Sequence, residues 1–114
     1  MKEKPFGQLP RDQWPIGLSL PIATLSLEPF ELEERCGVVF FEDIDDLDFF
    51  KAAIIVTGGG ETYALVRYRG CPSPGTEVWV GQTHLGTSSD IQPLLNALRL
   101  TGDVVRWRHP NLSF

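Results

Sequence analysis

The chain has 114 residues, 42% of them hydrophobic and 22% charged, and this ordinary globular composition excludes a chain that is disordered throughout. A chain of this length can bury about 65% of its unfolded surface, so residues 1–114 are expected to fold as one domain without disulfides or metal. Ten basic and fifteen acidic residues give a net charge of −5, which disfavours binding to nucleic acid or to an anionic membrane surface.

Cysteine usage and hydropathy suggest a cellular compartment. The two cysteines, Cys36 and Cys71, are too few for a disulfide framework and match no zinc spacing. The longest uncharged stretch, residues 13–27, is interrupted by two prolines and is too short to span a bilayer. No clear signal-peptide pattern accompanies it. We therefore expect a cytoplasmic protein.

The first thirty residues contain five prolines, which disfavour helix and favour extended structure. The same segment is rich in Leu and Ile and contains Trp14, so it is too apolar to remain in solvent. We predict an extended arm over residues 1–30, packed on a body formed by residues 31–114. Alternation in 18–20 and in 25–27 indicates one or two short strands at a sheet edge.

The next segment predicts a strand, an acidic turn and a second strand. Residues 37–41 are β-branched and aromatic, and the acidic run 42–46 follows them directly. Asp45 or Asp46 can cap a short helical turn through Leu47, Phe49 and Phe50. Residues 52–57 then indicate a strand that is buried on both faces.

Three glycines at 58–60 predict a hairpin between that strand and a strand over residues 62–69. A phosphate-binding loop is the alternative, but the glycines precede a strand and lack the spacing of nucleotide-binding motifs. A second turn, residues 70–75, leads to a strand over 76–80. An antiparallel meander results.

The C-terminal part predicts one amphipathic helix followed by a last strand. Apolar residues recur at helical spacing within 89–101, Pro93 fits the first turn, and Gly102 is suited to end the helix. Residues 103–109 alternate as in a strand. Together these elements predict an α+β fold: a mostly antiparallel sheet, a meander, with one helix near the C-terminus.

Charge is segregated along the chain. Residues 28–48 contain nine acids and one base, Arg35, for a local net charge of −8, and the rest of the chain sums to +3. Such polarity can steer a charged partner, which makes Asp43, Asp45, Asp46 and Asp48 candidate binding residues. A solvated acidic loop is the alternative. The spacing matches no EF-hand, so we predict no metal and no cofactor, and a weak, unspecific cation site in the acidic segment is the alternative.

Four arginines occupy alternate positions in two predicted strands. Arg67 and Arg69 share one face of their strand, as do Arg106 and Arg108 on the last strand. If the two strands lie close together, four guanidiniums line one surface suited to carboxylate or phosphate. The alternative is that these arginines pair with the acidic segment of the same chain.

Nucleophilic catalysis is not supported by any local pattern, because nothing in the sequence ties either cysteine to a histidine. His84 lies in a Gly, Thr and Ser-rich loop before the predicted helix, which makes that loop the best candidate pocket for a small enzyme or small-molecule binding protein.

We predict a non-enzymatic interaction module that uses the acidic segment 28–48, the arginine-bearing sheet face, or both. The expected partner is another protein or a second copy of the chain, contacted through the N-terminal arm, rather than nucleic acid or membrane. The enzyme or small-molecule site near His84 is the alternative function.

Overall fold

The protein is built on one antiparallel sheet that carries both helices on a single face. The structure is a computed structural model and describes residues 6–15, 17–44, 48–70, 74–81 and 91–108, with the backbone alone for Ser19 and Arg108. The strands within these ranges are β1 (Phe6–Gln8), β2 (Leu18–Leu25), β3 (Phe41–Ile44), β4 (Phe49–Thr57), β5 (Thr62–Tyr68), β6 (Thr76–Gly81) and β7 (Val105–Arg108). The helices are α1 (Pro29–Cys36) and α2 (Gln92–Leu98), and 3₁₀ turns span Arg11–Gln13 and Gly102–Val104.

The sheet order is β1-β4-β5-β6-β2-β7, and all pairs are antiparallel. β3 pairs with residues 49–52 of β4 and β1 with residues 55–57, so these two short strands lie end to end on the side of β4 opposite β5. The Gln8 side-chain amide joins β1 to the segment before β3, because it donates to the Val39 carbonyl and accepts from the Val39 N–H, both at 2.8 Å.

Two apolar clusters lie on opposite faces of the sheet. On the helix face, Ala53, Ile55 and Leu65 pack against Leu32 of α1 and Leu94 of α2. The opposite face, called here the arm face, has a smaller cluster that is covered in part by the N-terminal segment. Its buried members are Ala52, Ile54, Ala64 and Val66, with Leu9, Trp14 and Leu18 packed against them.

The structure confirms a single compact domain with a mostly antiparallel sheet and with the hairpin at residues 58–60. Its radius of gyration is 13.2 Å, close to the value of about 13 Å for a compact chain of this size. The described residues contain no helix that is long and apolar enough to cross a membrane.

The N-terminal third differs from the predicted extended arm. β2 is eight residues long and lies between β6 and β7, so the prediction of short edge strands for this segment is wrong. β2 tolerates Pro21 because its registers with β6 shift between Pro21 and Ala23 and locally relax the ladder. The sequence also gave no indication of α1, which begins with Pro29 after a capping box between Glu28 and Glu31.

Two further boundaries were wrong. The strand predicted over 37–41 begins at Phe41 and continues through the acids Glu42 and Asp43, which face Lys51 and Phe50 across the ladder. Phe49 and Phe50 lie in β4 rather than in a helical turn, and residues 45–47 lie outside the described residues.

The C-terminal helix is shorter than the predicted range of 89–101. It ends at Leu98, because Arg99 adopts the left-handed conformation with φ of 58° and caps the helix. Residues 89 and 90 lie outside the described residues. Gly102 begins a 3₁₀ turn rather than ending the helix, and the last strand begins at Val105.

Candidate functional site

A pocket lies on the helix face at the end of the sheet where β3 connects to β4. We call it the hairpin-end pocket, and its volume is about 530 Å³, within the usual range for ligand sites. It is lined by Glu42, Asp43, Ile44, Phe49, Phe50, Lys51, Arg67 and Arg69.

The strand register explains why these side chains converge. Glu42 lies opposite Lys51, and Lys51 lies opposite Arg67, so a row of three charged residues crosses β3, β4 and β5 on one face. Ile44 lies opposite Phe49 and gives an apolar row beside the charged one. Both apolar side chains are open to solvent, since Ile44 is 57% and Phe49 50% exposed.

Two of the three cations in the pocket face carboxylates. The Lys51 Nζ lies 3.7 Å from Glu42 Oε1, and the Arg67 Nε lies 3.7 Å from Glu28 Oε1, at the start of α1. Both distances exceed hydrogen-bond length. Glu28 is also the acceptor for the Gly75 N–H, so its position is fixed from two sides.

Arg69 is held differently. Its guanidinium carbon lies 5.4 Å from the centroid of the Phe49 ring, a cation–π contact, and its backbone N–H donates to the Phe49 carbonyl at 2.9 Å. Among the residues that the structure describes, no carboxylate lies within ion-pair distance of this guanidinium.

The two described acids among the four predicted aspartate binding residues, Asp43 and Asp48, bind other parts of the chain. Asp43 accepts from Arg11 Nη2 at 2.7 Å and from the Ile44 N–H at 2.8 Å. Asp48 accepts from the Phe49 N–H at 2.7 Å and from the Gly70 N–H, and so connects the start of β4 to the turn after β5. Asp45 and Asp46 lie outside the described residues.

The predicted surface of four arginines is wrong. Arg67 and Arg69 do line one pocket, but Arg106 lies on β7, separated from β5 by β6 and β2, and donates to the Pro74 carbonyl at 2.6 Å. Arg108 also lies on β7, and its backbone pairs with Ala23 of β2. The N-terminal strand β2 lies between β6 and β7. This sheet order keeps the two arginine pairs apart.

Sequence reasoning missed Ile44, Phe49 and Lys51 as pocket residues. Residues 42 and 44 alternate on β3 as 49 and 51 do on β4, and this period of two was the available signal. It was overlooked because Phe49 was assigned to a helical turn.

His84, the centre of the predicted site near the C-terminal helix, lies outside the described residues. A second pocket of about 290 Å³ lies between the glycine hairpin and α2, and Glu61 and Asn96 contribute to its lining. The Glu61 carboxylate accepts from the Thr57 hydroxyl and lies against Gly59. This negative charge at the glycines is unfavourable for phosphate.

Cysteine and metal chemistry receive little support from the geometry. Cys36 is a free thiol at the end of α1, and burial raises its pKa, with Arg35 acting in the opposite direction. A raised pKa leaves the thiol protonated, which is unfavourable for a nucleophile. Within the described ranges, no three His, Cys, Asp or Glu side chains are grouped so that they could hold a metal ion.

Comparison of the chain with protein-family models, with curated protein sequences and with solved structures gave no match.

Proposed function

We propose that the protein is a non-enzymatic interaction domain that binds a partner protein through the hairpin-end pocket. One observation carries the proposal: the Arg69 guanidinium lies over Phe49 in the lining of the pocket, and no described carboxylate pairs with it. A cation that pairs with no carboxylate among the described residues, and that lies beside exposed apolar side chains, is suited to an external anion.

The composition of the pocket favours a protein partner. Aromatic and arginine side chains are enriched at the centres of protein interfaces, and Phe49 and Arg69 are placed together here. The net charge of −5 disfavours nucleic acid and anionic membranes, both of which present many negative charges.

The acidic segment supports the site in this proposal, rather than forming the contact surface. Glu28, Glu42, Asp43 and Asp48 each bind or face a donor within the chain, as described above. Their charge still contributes to the field that a partner meets on approach, which affects the association rate more than the affinity.

The proposal is tested by identifying the proteins that co-purify with the chain. The tagged full chain and the variant Arg69→Gln are expressed in the native cell, and co-purifying proteins are quantified by mass spectrometry. We expect one protein to be retained by the wild type and depleted about tenfold or more by the variant, as at an arginine hot spot. Arg35→Gln is the matched control, since Arg35 is an exposed arginine outside the pocket lining.

Equal retention by the wild type and Arg69→Gln would contradict the proposed site. A second copy of the chain is the competing partner. Light scattering across a range of concentrations tests it, because a dimer that dissociates in Arg69→Gln but not in Arg35→Gln would assign the pocket to self-association.

We also propose a cytoplasmic location. The support is the small number of cysteines and the free, half-buried Cys36. Thiol labelling in intact and permeabilised cells tests the proposal, since a cytoplasmic chain is labelled by a membrane-impermeant reagent only after permeabilisation.

A further inference from the structure

We infer that the hairpin-end pocket recognises a single carboxylate next to an apolar side chain, as in an acidic-hydrophobic peptide segment. This inference rests on the proposed function and adds the chemical class of the ligand. It is drawn from how Arg69 is held, from the neighbouring apolar wall, and from the acids around the pocket.

Arg69 is oriented before any ligand arrives. Its backbone is fixed by the bond from its N–H to the Phe49 carbonyl, and the next residue, Gly70, is fixed by the Asp48 carboxylate. The Phe49 ring supports the guanidinium from one side. A guanidinium that is already positioned loses less conformational freedom when its N–H fork binds a carboxylate.

A second donor lies in the same pocket. Lys51 belongs to the charged row beside Arg69, and its 3.7 Å separation from Glu42 is too long for a hydrogen bond. The Glu42 side chain is 75% exposed, so its pairing with Lys51 is weak and screened by solvent. Lys51 can therefore contribute charge to a carboxylate bound at Arg69.

The apolar part of the ligand is specified by Ile44 and Phe49. These side chains are about half exposed, and they face each other across the β3–β4 ladder beside the charged row. An apolar side chain that covers them removes their surface from water. A bare carboxylate would leave this surface exposed and gain less.

Negative charge at the pocket disfavours a polyanion. The Glu42 side chain contributes to the lining, and the chain as a whole carries a charge of −5. A nucleic acid strand or a multiply phosphorylated peptide would bring several negative charges against this field. A single carboxylate at Arg69 meets less of this repulsion.

The inference is tested with three short capped peptides and the isotopically labelled full chain. The probe is acetyl-Gly-Phe-Asp-Gly-amide. Acetyl-Gly-Phe-Asn-Gly-amide removes the charge at nearly constant volume, and acetyl-Gly-Ala-Asp-Gly-amide removes the apolar side chain. NMR titration follows the Nε–H resonance of Arg69 and the backbone amides of β3 and β4.

We expect saturable shifts at Arg69 and Phe49 with the first peptide, and affinities about tenfold lower with each of the other two. The variant Arg69→Gln should lose about tenfold in affinity for the first peptide, and Arg35→Gln should match the wild type. The amide spectrum of each variant is recorded first, to check that the variant is folded.

Three outcomes would overturn the inference: no saturable shift with the first peptide, equal affinity for the Asp and Asn peptides, or tighter binding of a single-stranded oligonucleotide at the same residues. The proposed function is judged separately by the co-purification experiment. A partner that depends on Arg69 while the peptides fail would leave the proposed function standing and reject the ligand class.

Discussion

Single carboxylates hold distant parts of this chain together, and Asp48 is the clearest case. Its two oxygens accept from the Phe49 N–H at the start of β4 and from the Gly70 N–H after β5, 22 residues away in the sequence. Asp48 therefore closes the end of the β4–β5 pair at Gly70, the residue that follows Arg69 in the sequence. These two contacts give Asp48 a structural role, and its predicted role as a binding residue stays a prediction.

Replacing Asp48 with Ala should destabilise the protein by about 1–3 kcal/mol, because two backbone donors lose their acceptor. Urea unfolding followed by tryptophan fluorescence measures the change in the free energy of unfolding. Asp12→Ala is the control, since Asp12 is an exposed acid in the Arg11–Gln13 turn and should change stability by about 0.5 kcal/mol or less. Equal effects of the two variants would contradict the role given to Asp48.

Cys36 should make stability depend on pH in the alkaline range. Burial raises the pKa of its thiol in the folded state, and Arg35 acts against this effect. Below the ordinary thiol pKa, Cys36 is protonated in both the folded and the unfolded chain, and its full contribution to the free energy of unfolding is present. Above it the unfolded thiol ionises first, so the free energy of unfolding falls as pH rises towards the folded pKa.

The measurement compares Cys71→Ser with the double variant Cys36→Ala/Cys71→Ser by urea unfolding at neutral and alkaline pH. The stability difference between them should become smaller, or reverse, as pH rises. A difference that stays constant across this range would show that the Cys36 thiol has no shifted pKa.

Part of the site could be predicted at the residue scale. The alternation of Arg67 and Arg69 placed both side chains on one face, because period two is a local property of any strand. The partners of the acids could not be predicted in the same way. Asp43 meets Arg11 from 32 residues away, and Glu28 meets Gly75 from 47 residues away.

Among the elements, the connection into β6 depends on one glycine. Gly75 has φ of +104°, and a Cβ at this position would lie 2.0 Å from the Leu25 carbonyl oxygen, in the strand β2 that pairs with β6. The close approach lets the Thr76 hydroxyl donate to the Leu27 carbonyl at 2.7 Å in a buried position. The start of α1 is thereby joined to β6.

Gly75→Ala should cost about 3 kcal/mol or more, since it combines an unfavourable φ with an overlap against backbone. The midpoint of thermal unfolding, measured by circular dichroism, should fall accordingly. Gly58→Ala serves as the control, because a Cβ at Gly58 meets nothing within 4 Å. Similar midpoints for the two variants would mean that β2 and β6 can separate at Gly75 without loss.

Local signals explain which elements the sequence could predict. The β4–β5 hairpin followed from glycines between two β-branched runs, a pattern that needs no tertiary information. α1 was missed because its eight residues contribute few apolar contacts and its cap uses Glu28 where Ser, Thr, Asp or Asn is usual. β3 was displaced because Glu42 and Asp43, which resemble a turn in isolation, are tolerated in a strand by Lys51 and Arg11.

At the scale of the whole molecule, the sheet order is the property that sequence reasoning could not reach. β2 comes from the first quarter of the chain and lies between β6 and β7. No local pattern specifies such a non-local pairing. Because of this order the two arginine pairs lie far apart. The pocket lining therefore contains Arg67 and Arg69 but neither of the other two arginines.

Among the described strands, β3 pairs only with β4, so its other side is an outer edge of the sheet. The Arg69 N–H donates to the Phe49 carbonyl and the Thr57 N–H to the Glu61 carbonyl, so the odd-numbered residues of β4 bond to β5. Across the β3–β4 ladder, Asp43 then bonds to β4 and Ile44 points its N–H outward. The Asp43 side chain accepts that N–H at 2.8 Å and leaves one donor fewer for an incoming strand.

We therefore expect Asp43 to hinder the addition of further strands at β3, because an exposed strand edge is a template for such addition. Asp43→Ala should form thioflavin-positive aggregates at concentrations where the wild type stays in solution. Asp43→Asn keeps an oxygen acceptor but loses the charge that binds Arg11, and Arg11→Gln keeps the whole carboxylate; both should resist aggregation. If Asp43→Asn aggregates as fast as Asp43→Ala, negative charge and not the hydrogen bond keeps neighbouring molecules from growing onto β3.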